Sequence, residues 1–262
     1  MIFLPYEFDG EAYKKSSTHQ KEWGKRIISE LKFHRNERVL DLGCGDGALT
    51  AHLAELVPDG FVLGIDASHE MIEVAEKLSR PNLAFKCQDI NTLGYKEDFD
   101  LVYSNATLHW VKDHRRLLEH TYQSLRKMGL VRFNFAAEGN CSHFFKVIKE
   151  ALEQPAYAKF FKAFEWPWYM PALDEYEDLV RLSRFDEVKV WGEVADRYFL
   201  DKETMIAWVD QPSIVPFLEC IPYECKKAFR DYVVKKMVSE TLQADGTCFE
   251  TFRRINLSCR KQ

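Results

Sequence analysis

The chain has 262 residues, 46% hydrophobic and 29% charged, which is ordinary for a globular protein and enough for one large α/β domain with a modest cap. A net charge of −5 and a pI near 5.9 exclude the basic footprint of non-specific nucleic-acid binding, so no nucleic-acid partner is expected. No apolar run reaches the roughly 18 residues that span a bilayer. Residues 1–7 are too short and acidic for a signal peptide, so a cytoplasmic protein without membrane contact is expected.

Seven cysteines are odd in number and irregular in spacing, with no Cys-x-x-Cys and no zinc-finger pattern. Free thiols and no metal are the expectation.

A helix is predicted over residues 17–33. Val39, Leu40, Asp41 and Leu42 then read as a short buried strand running into Gly43-Cys44-Gly45-Asp46-Gly47. Glycine reaches φ > 0 and has no Cβ, so a ligand can lie directly on the peptide groups. The pattern turns helical over residues 48–57, which places the glycines between a strand and a helix N-terminus, where a nucleotide is held. A second strand over residues 61–65 ends in Asp66, placed to accept from ribose hydroxyls. A third, residues 83–87, is followed by Gln88, Asp89 and Ile90, which can bind an adenine edge with a carboxylate and an apolar contact.

The fourth strand is predicted over residues 99–104, followed by a helix over 114–127 with Leu117, Leu118, Tyr122 and Leu125 on one face. A fifth strand covers 130–135. Aromatic residues crowd into 144–169, a helix over 174–183 leads to a sixth strand at 188–191, and helices fill 202–245. Ala244-Asp245-Gly246-Thr247 signals a turn before a closing strand near 253–259. Strands alternating with helices imply a parallel sheet covered on both faces. The expected organisation is a helical segment at 1–36 over the ligand, a core at 37–140, 172–200 and 249–262, and a helical lid from 141–171 and 201–248.

Gly43, Gly45 and Ala48 also satisfy a loose dinucleotide pattern, so a nicotinamide site is the competing reading. Asp41 counts against it, because a carboxylate in the strand's last turn repels phosphates and suits a cation. Three acidic strand ends around a glycine turn describe a nucleoside with a positive charge and no phosphate. S-adenosyl-L-methionine fits.

On Asp41 to Gly47, Gly64-Ile65-Asp66-Ala67-Ser68 with Met71, Asp89-Ile90 and Phe99-Asp100-Leu101-Val102, the chain resembles the class I S-adenosylmethionine-dependent methyltransferases. The run Ser104-Asn105-Ala106-Thr107-Leu108-His109-Trp110-Val111-Lys112-Asp113-His114 resembles the segment after strand four in trans-aconitate methyltransferases. Ile206-Ala207-Trp208-Val209, Pro216-Phe217-Leu218 and the closing strand are similar to those enzymes too. Tyr13-Lys14-Lys15-Ser16-Ser17-Thr18-His19-Gln20-Lys21 looks more like the insect juvenile hormone acid methyltransferases. The Pro-Gly turn usual before strand five is replaced here by Lys127-Met128-Gly129.

The resemblance implies an α/β, Rossmann-like sheet, mostly parallel with an antiparallel C-terminal strand, plus a helical lid. It implies S-adenosyl-L-methionine as cofactor and S-adenosyl-L-homocysteine as product. Tyr13, Ser17, Asp41, Gly43, Cys44, Gly45, Asp66, Ala67, Met71, Asp89, Ile90 and Asn105 would contact the cofactor.

Methyl transfer from a sulfonium is an in-line displacement, so the protein mainly aligns the partners and excludes water. A carboxylate is already ionised at neutral pH and needs no general base. An alcohol, phenol or carbon acid needs one, and His109 and His19 are the candidates. By resemblance to the hormone acid enzymes, Gln20 and Trp110 would orient a substrate carboxylate through N–H donors. Ordinary packing or solvation accounts for each of these residues equally simply. A polyacid would need further cations, with Arg197 best placed and Arg132, Arg253 and Arg254 as alternatives; an aromatic cap with few buried cations would favour an apolar acid. The expected function is O-methylation of a small-molecule acid by a monomer, with larger assemblies left open. Methylation at carbon or hydroxyl with His109 as base, and a non-catalytic module that binds S-adenosylmethionine, are the alternatives.

Overall fold

The computed structural model describes residues 18–262. Helix α1 (Thr18–Ser29) precedes strand β1 (Arg38–Leu42), helix α2 (Ala48–Leu56), strand β2 (Phe61–Asp66), helix α3 (His69–Ala75) and strand β3 (Leu83–Cys87). Strand β4 (Phe99–Asn105), helix α4 (His114–Ser124) and strand β5 (Leu125–Ala136) follow. Helices α5 (Ser142–Leu152) and α6 (Leu173–Arg181), then strands β6 (Asp186–Val194) and β7 (Arg197–Phe199), lead to helices α7 (Lys202–Trp208), α8 (Val215–Glu219) and α9 (Tyr223–Thr241). Strands β8 (Cys248–Glu250) and β9 (Arg253–Arg260) close the chain.

The main sheet has seven strands in the order β3-β2-β1-β4-β5-β9-β6. The first five run parallel, with Leu40 beside Leu63 on one side and Val102 on the other. Strand β9 runs antiparallel to β5, with Val131 opposite Cys259. This is the Rossmann-like sheet that the sequence implies, antiparallel closing strand included. Strand order reverses between β1 and β4, and the crevice outside their carboxyl ends is where an open α/β sheet binds ligands.

Successive strand side chains point to opposite faces, so each strand feeds two cores. Leu40, Leu42, Val102, Phe133 and Leu257 pack with Leu117 and Leu118 of α4 and with Tyr176 and Val180 of α6. Val39, Val62, Leu101 and Tyr103 pack on the other face with Ile27 and Ile28 of α1, Leu53 of α2 and Ile72 of α3. All of these are under 5% exposed, and each buried aliphatic side chain contributes roughly 1.5–3 kcal/mol.

Several predicted boundaries move, and two of the shifts have a clear cause. Helix α4 stops at Ser124 rather than at residue 127, because fully buried Leu125 pairs with Phe99 and starts β5 five residues early. The register then shifts between Phe99 and Leu101, and Met128 within β5 stands at φ 67°. Helix α1 ends at Ser29 rather than at residue 33, because Glu30 and Leu31 donate to the carbonyls of Ile27 and Ile28 and tighten the chain out of the helix.

The described residues form two compact units: one up to residue 138 with 168–193 and 254–262, the other 139–167 and 194–253. The second unit contains α5, α7, α8, α9 and a two-stranded antiparallel sheet of β7 and β8 that no sequence pattern announced. Glu250, with no exposed surface, accepts from the backbone N–H groups of His143 and Phe144 and so caps α5. Phe144, Trp208, Phe217 and Phe229 are each under 4% exposed, so much of the aromatic density is this unit's own core.

All seven cysteines are free thiols. Among the described residues no helix is long and apolar enough to cross a membrane, and no cluster of His, Cys, Asp and Glu could hold a metal ion.

Candidate active site

The chain leaves β1 through Gly43, Gly45 and Gly47, which all have positive φ (75°, 52° and 78°). Gly43 and Cys44 both donate to the Ile65 carbonyl, at 2.8 and 2.9 Å, so the turn is stitched to the end of β2. Position 43 tolerates no side chain, because a Cβ there would lie 2.0 Å from Thr107 Cγ2. Thr107 occupies that space and donates to the Gly43 carbonyl at 3.1 Å. Sequence reading missed Thr107, although it sits inside the recognised segment after β4.

Asp66 ends β2. Its Oδ2 accepts from Gly45 N–H at 2.9 Å and its Oδ1 from Ser68 N–H at 3.0 Å. Ser68 in turn caps α3 by accepting from Met71 N–H, and Met71 is 3% exposed. An ionised carboxylate only accepts hydrogen bonds, which is the chemistry that ribose hydroxyls need at this strand end. Ala67 follows it, and Cys87 at the end of β3 donates to the Ala67 carbonyl. Asp89 caps the short turn that begins at buried Ile90, accepting from Asn91 N–H at 2.8 Å.

Asp41 is 2% exposed and accepts from Thr50 Oγ1 at 2.7 Å. Burial, augmented by the Asp66 charge and opposed by the Thr50 hydrogen bond, pushes its carboxyl up to about 7. Burial and the three neighbouring carboxylates Asp66, Asp41 and Asp46 push the Cys44 thiol well above its usual range, so it is a neutral lining group rather than a nucleophile. The ion pair from Lys21 Nζ to Asp46 Oδ2, 2.6 Å long, ties α1 to the turn. No local pattern marks Lys21 as that partner.

The other half of the crevice follows β4. Asn105 Nδ2 donates to the Gln20 carbonyl of α1 at 2.9 Å. A single 3-10 turn, Leu108–Trp110, then presents His109 and Trp110, and the Trp110 ring lies 5.2 Å from that of Trp168. Gln20 Oε1, Asn105 Oδ1 and His109 Nδ1 are buried and make no hydrogen bond within the described residues. Burial, then Arg254 and His114, lower the His109 imidazole to about 3, so it is neutral. Arg254 on β9 is 4% exposed, donates to Asn134 Oδ1 through Nε at 2.9 Å and stacks over Trp23 at 4.6 Å.

The remaining candidates are dispersed. Arg132 is buried but pairs with Glu30 at 2.9 Å. Arg253 pairs with Asp196, and Arg197 lies on β7 of the second unit. Tyr13, Ser17 and the His19 side chain lie outside the described residues.

This donor set fits S-adenosyl-L-methionine. Buried, unpartnered acceptors at Gln20 and Asn105 suit its ammonium group, and the carboxylates of the glycine turn suit its positive charge while disfavouring phosphates.

The comparisons agree. A family model described as methyltransferase domain matches residues 39–129. The chain is 24% identical to a trans-aconitate 2-methyltransferase of Rhodopseudomonas palustris, over 95% of this chain and 97% of that one. It is 26% identical to one of Mycobacterium tuberculosis, over 95% and 94%. A malonyl-[acyl-carrier protein] O-methyltransferase of Bacillus cereus is 32% identical, but the match spans only 50% of this chain and 51% of that enzyme. The fold is also that of YcgJ from Bacillus subtilis, with a TM-score of 0.63 at 16% identity over 92% and 99% of the chains. A phosphoethanolamine N-methyltransferase of Haemonchus contortus, solved with S-adenosyl-L-methionine, has a TM-score of 0.61 at 18% identity over 97% and 57%.

In fold, glycine turn and relatives the chain is similar to the S-adenosylmethionine-dependent methyltransferases, and that nucleoside is the cofactor that the likeness supports. Within the class the chain resembles trans-aconitate methyltransferase.

Proposed function

We propose that the protein transfers the methyl group of S-adenosyl-L-methionine to a carboxylate oxygen of a small organic acid. The observation that carries this reading is the acceptor side of the crevice: Gln20, His109 and Trp110 are polar but uncharged, and among the described residues no carboxylate is hydrogen-bonded to His109 Nδ1. That arrangement can orient an acceptor but is poorly equipped to deprotonate one.

When bound, the cofactor supplies a sulfonium-activated methyl carbon. The peptide groups of Gly43, Cys44 and Gly45 would bear it, Asp66 would hold the ribose, and Asp89, Ile90, Ala67 and Met71 would surround the adenine side. Gln20 and Trp110 would aim the acid through their N–H groups. The carboxylate oxygen would take the methyl carbon as the C–S bond breaks, so no residue of this chain would have to remove a proton. Alignment and exclusion of water then account for the acceleration.

The polyacid is favoured over the apolar acid. Buried Arg254 places positive charge close enough to depress His109, and much of the aromatic density is consumed by packing within the second unit. The relatives named for trans-aconitate and malonyl-[acyl-carrier protein] carry carboxylates in their named substrates. From its two insertion points in the sequence, we assign the second unit to substrate selection.

Methylation at hydroxyl or carbon with His109 as base has one observation in its favour, the open acceptor at Nδ1. An imidazole lowered to about 3 is a weak base at neutral pH, which counts against it. The test is transfer of labelled methyl to trans-aconitate, other tricarboxylates, fatty acids and isoprenoid acids, followed by release of labelled methanol in alkali. Alkali-labile product with a polyacid is expected. Alkali-stable product would overturn carboxyl methylation.

A further inference from the structure

The turn that carries His109 and Trp110 has few backbone restraints of its own. Trp110 N–H reaches the Thr107 carbonyl and Val111 N–H the Leu108 carbonyl, both at 2.9 Å. One group that ties it to the rest of the molecule is His114, from the first turn of α4. His114 is 2% exposed and sits among the rings of Phe135, Tyr169 and Tyr176 at centroid distances of 5.1, 4.9 and 5.3 Å. Its Nε2 lies 2.9 Å from the Leu108 carbonyl and its Nδ1 3.1 Å from Tyr176 Oη.

A carbonyl only accepts, so Nε2 carries the hydrogen. Burial lowers the imidazole to about 4, so the ring is neutral and Nδ1 accepts from the Tyr176 hydroxyl. Leu108 and Val111 both offer the ring backbone carbonyls, and the Leu108 contact at Nε2 is the one that reaches the 3-10 turn. Tyr169, whose ring packs on His114, donates its N–H to the His109 carbonyl at 2.8 Å. The turn is thus restrained at two carbonyls, Leu108 by the His114 side chain and His109 by the Tyr169 backbone.

We infer that His114 is a positioning residue for methyl transfer: through the Leu108 carbonyl it holds the Trp110 indole at the angle that aims the acceptor. This rests on the reading above that Trp110 faces the acceptor. The side chain of His114 touches no reacting atom, and the cofactor turn lies on another strand, so its effect belongs to the acceptor side alone. Sequence spacing places His114 four residues after Trp110 but reveals nothing of this role, since a histidine at the start of a helix has many uses.

The experiment compares His114→Leu, His114→Gln and Tyr176→Phe in protein labelled with 5-fluorotryptophan. The chain has six tryptophans, and Trp110→Phe assigns the relevant fluorine signal. In His114→Leu the Trp110 signal is expected to shift or broaden while S-adenosyl-L-methionine affinity stays within about twofold and kcat on the preferred acid falls about tenfold or more. His114→Gln, which can offer an N–H near the position of Nε2, should restore part of both the signal and the rate. Tyr176→Phe keeps the bond to Leu108 and should give a smaller change of the same kind, which serves if His114→Leu does not fold.

An unmoved Trp110 signal in folded His114→Leu, or a glutamine variant no better than leucine, would overturn the inference. So would unchanged kcat in a variant whose only defect is a lower Tm. If the parent protein methylates no acid, the carboxylate reading falls, while the fluorine signal still decides the role of His114.

Discussion

The turns that follow β1 and β4 flank the same crevice but are built differently. The glycine turn is made of backbone: its N–H groups bond to Ile65 and Asp66, and three positive-φ glycines let it fold back on itself. The turn after β4 relies more on side chains, its own Thr107 against Gly43 and His114 of α4 against Leu108, beside backbone bonds such as Tyr169 N–H to the His109 carbonyl. A backbone-built turn suits a ligand that never changes, and a turn held by side chains lets the acceptor vary while the cofactor stays constant.

Four measurements can break or sharpen that contrast. The largest effect is expected at Gly43→Ala, where left-handed backbone and overlap with Thr107 together cost about 3–5 kcal/mol of stability. Adding Thr107→Ala should recover the overlap share of the loss in denaturant unfolding, and no recovery would mean that the two turns are independent. Next is Asp66→Ala, which removes a carboxylate bonded to Gly45 and Ser68. It should weaken S-adenosyl-L-methionine by about 2–4 kcal/mol in calorimetry with the fold retained. Unchanged affinity in a folded variant would remove Asp66 from the site.

A smaller effect comes from pH. Asp41 is held up to about 7 in the free protein, and a cationic ligand favours its ionised form. Binding therefore releases a proton below that value, and affinity should rise about tenfold between pH 6 and 8 and then level off. Asp41→Asn should flatten the curve; a parent curve that is already flat would place the cofactor charge elsewhere. Smallest of all is His109→Gln, which should keep most of its turnover on the preferred acid with the same pH profile. Loss of a rate-limiting ionisation in that variant would restore the histidine as a base.

Much of the sheet was legible because its signals are short in range. Asp41 to Gly47 announce a strand, a turn and a helix within a few residues, and Asp66 and Asp89 stand at strand ends that hydrophobic runs delimit. Contacts across long sequence separations were not legible: Lys21 meets Asp46 and Arg254 meets Asn134, and nothing local pairs them. The early start of β5 was hidden because Leu125 continues the helical spacing of Leu117 and Leu118, and only pairing with Phe99 decides against the helix. The candidate site was readable in the same proportion. The strand-end acids and the run to Trp110 could be placed, whereas the cations could be named only as a set.

The missing Cβ of Gly43 has a practical consequence for anyone reshaping substrate choice. Because the methyl of Thr107 fills that space, the turn after β1 and the turn after β4 mesh like two gear teeth. A library that diversifies residues 108–112 while keeping Gly43 and Thr107 fixed should yield folded, cofactor-competent variants far more often than one that also randomises position 107.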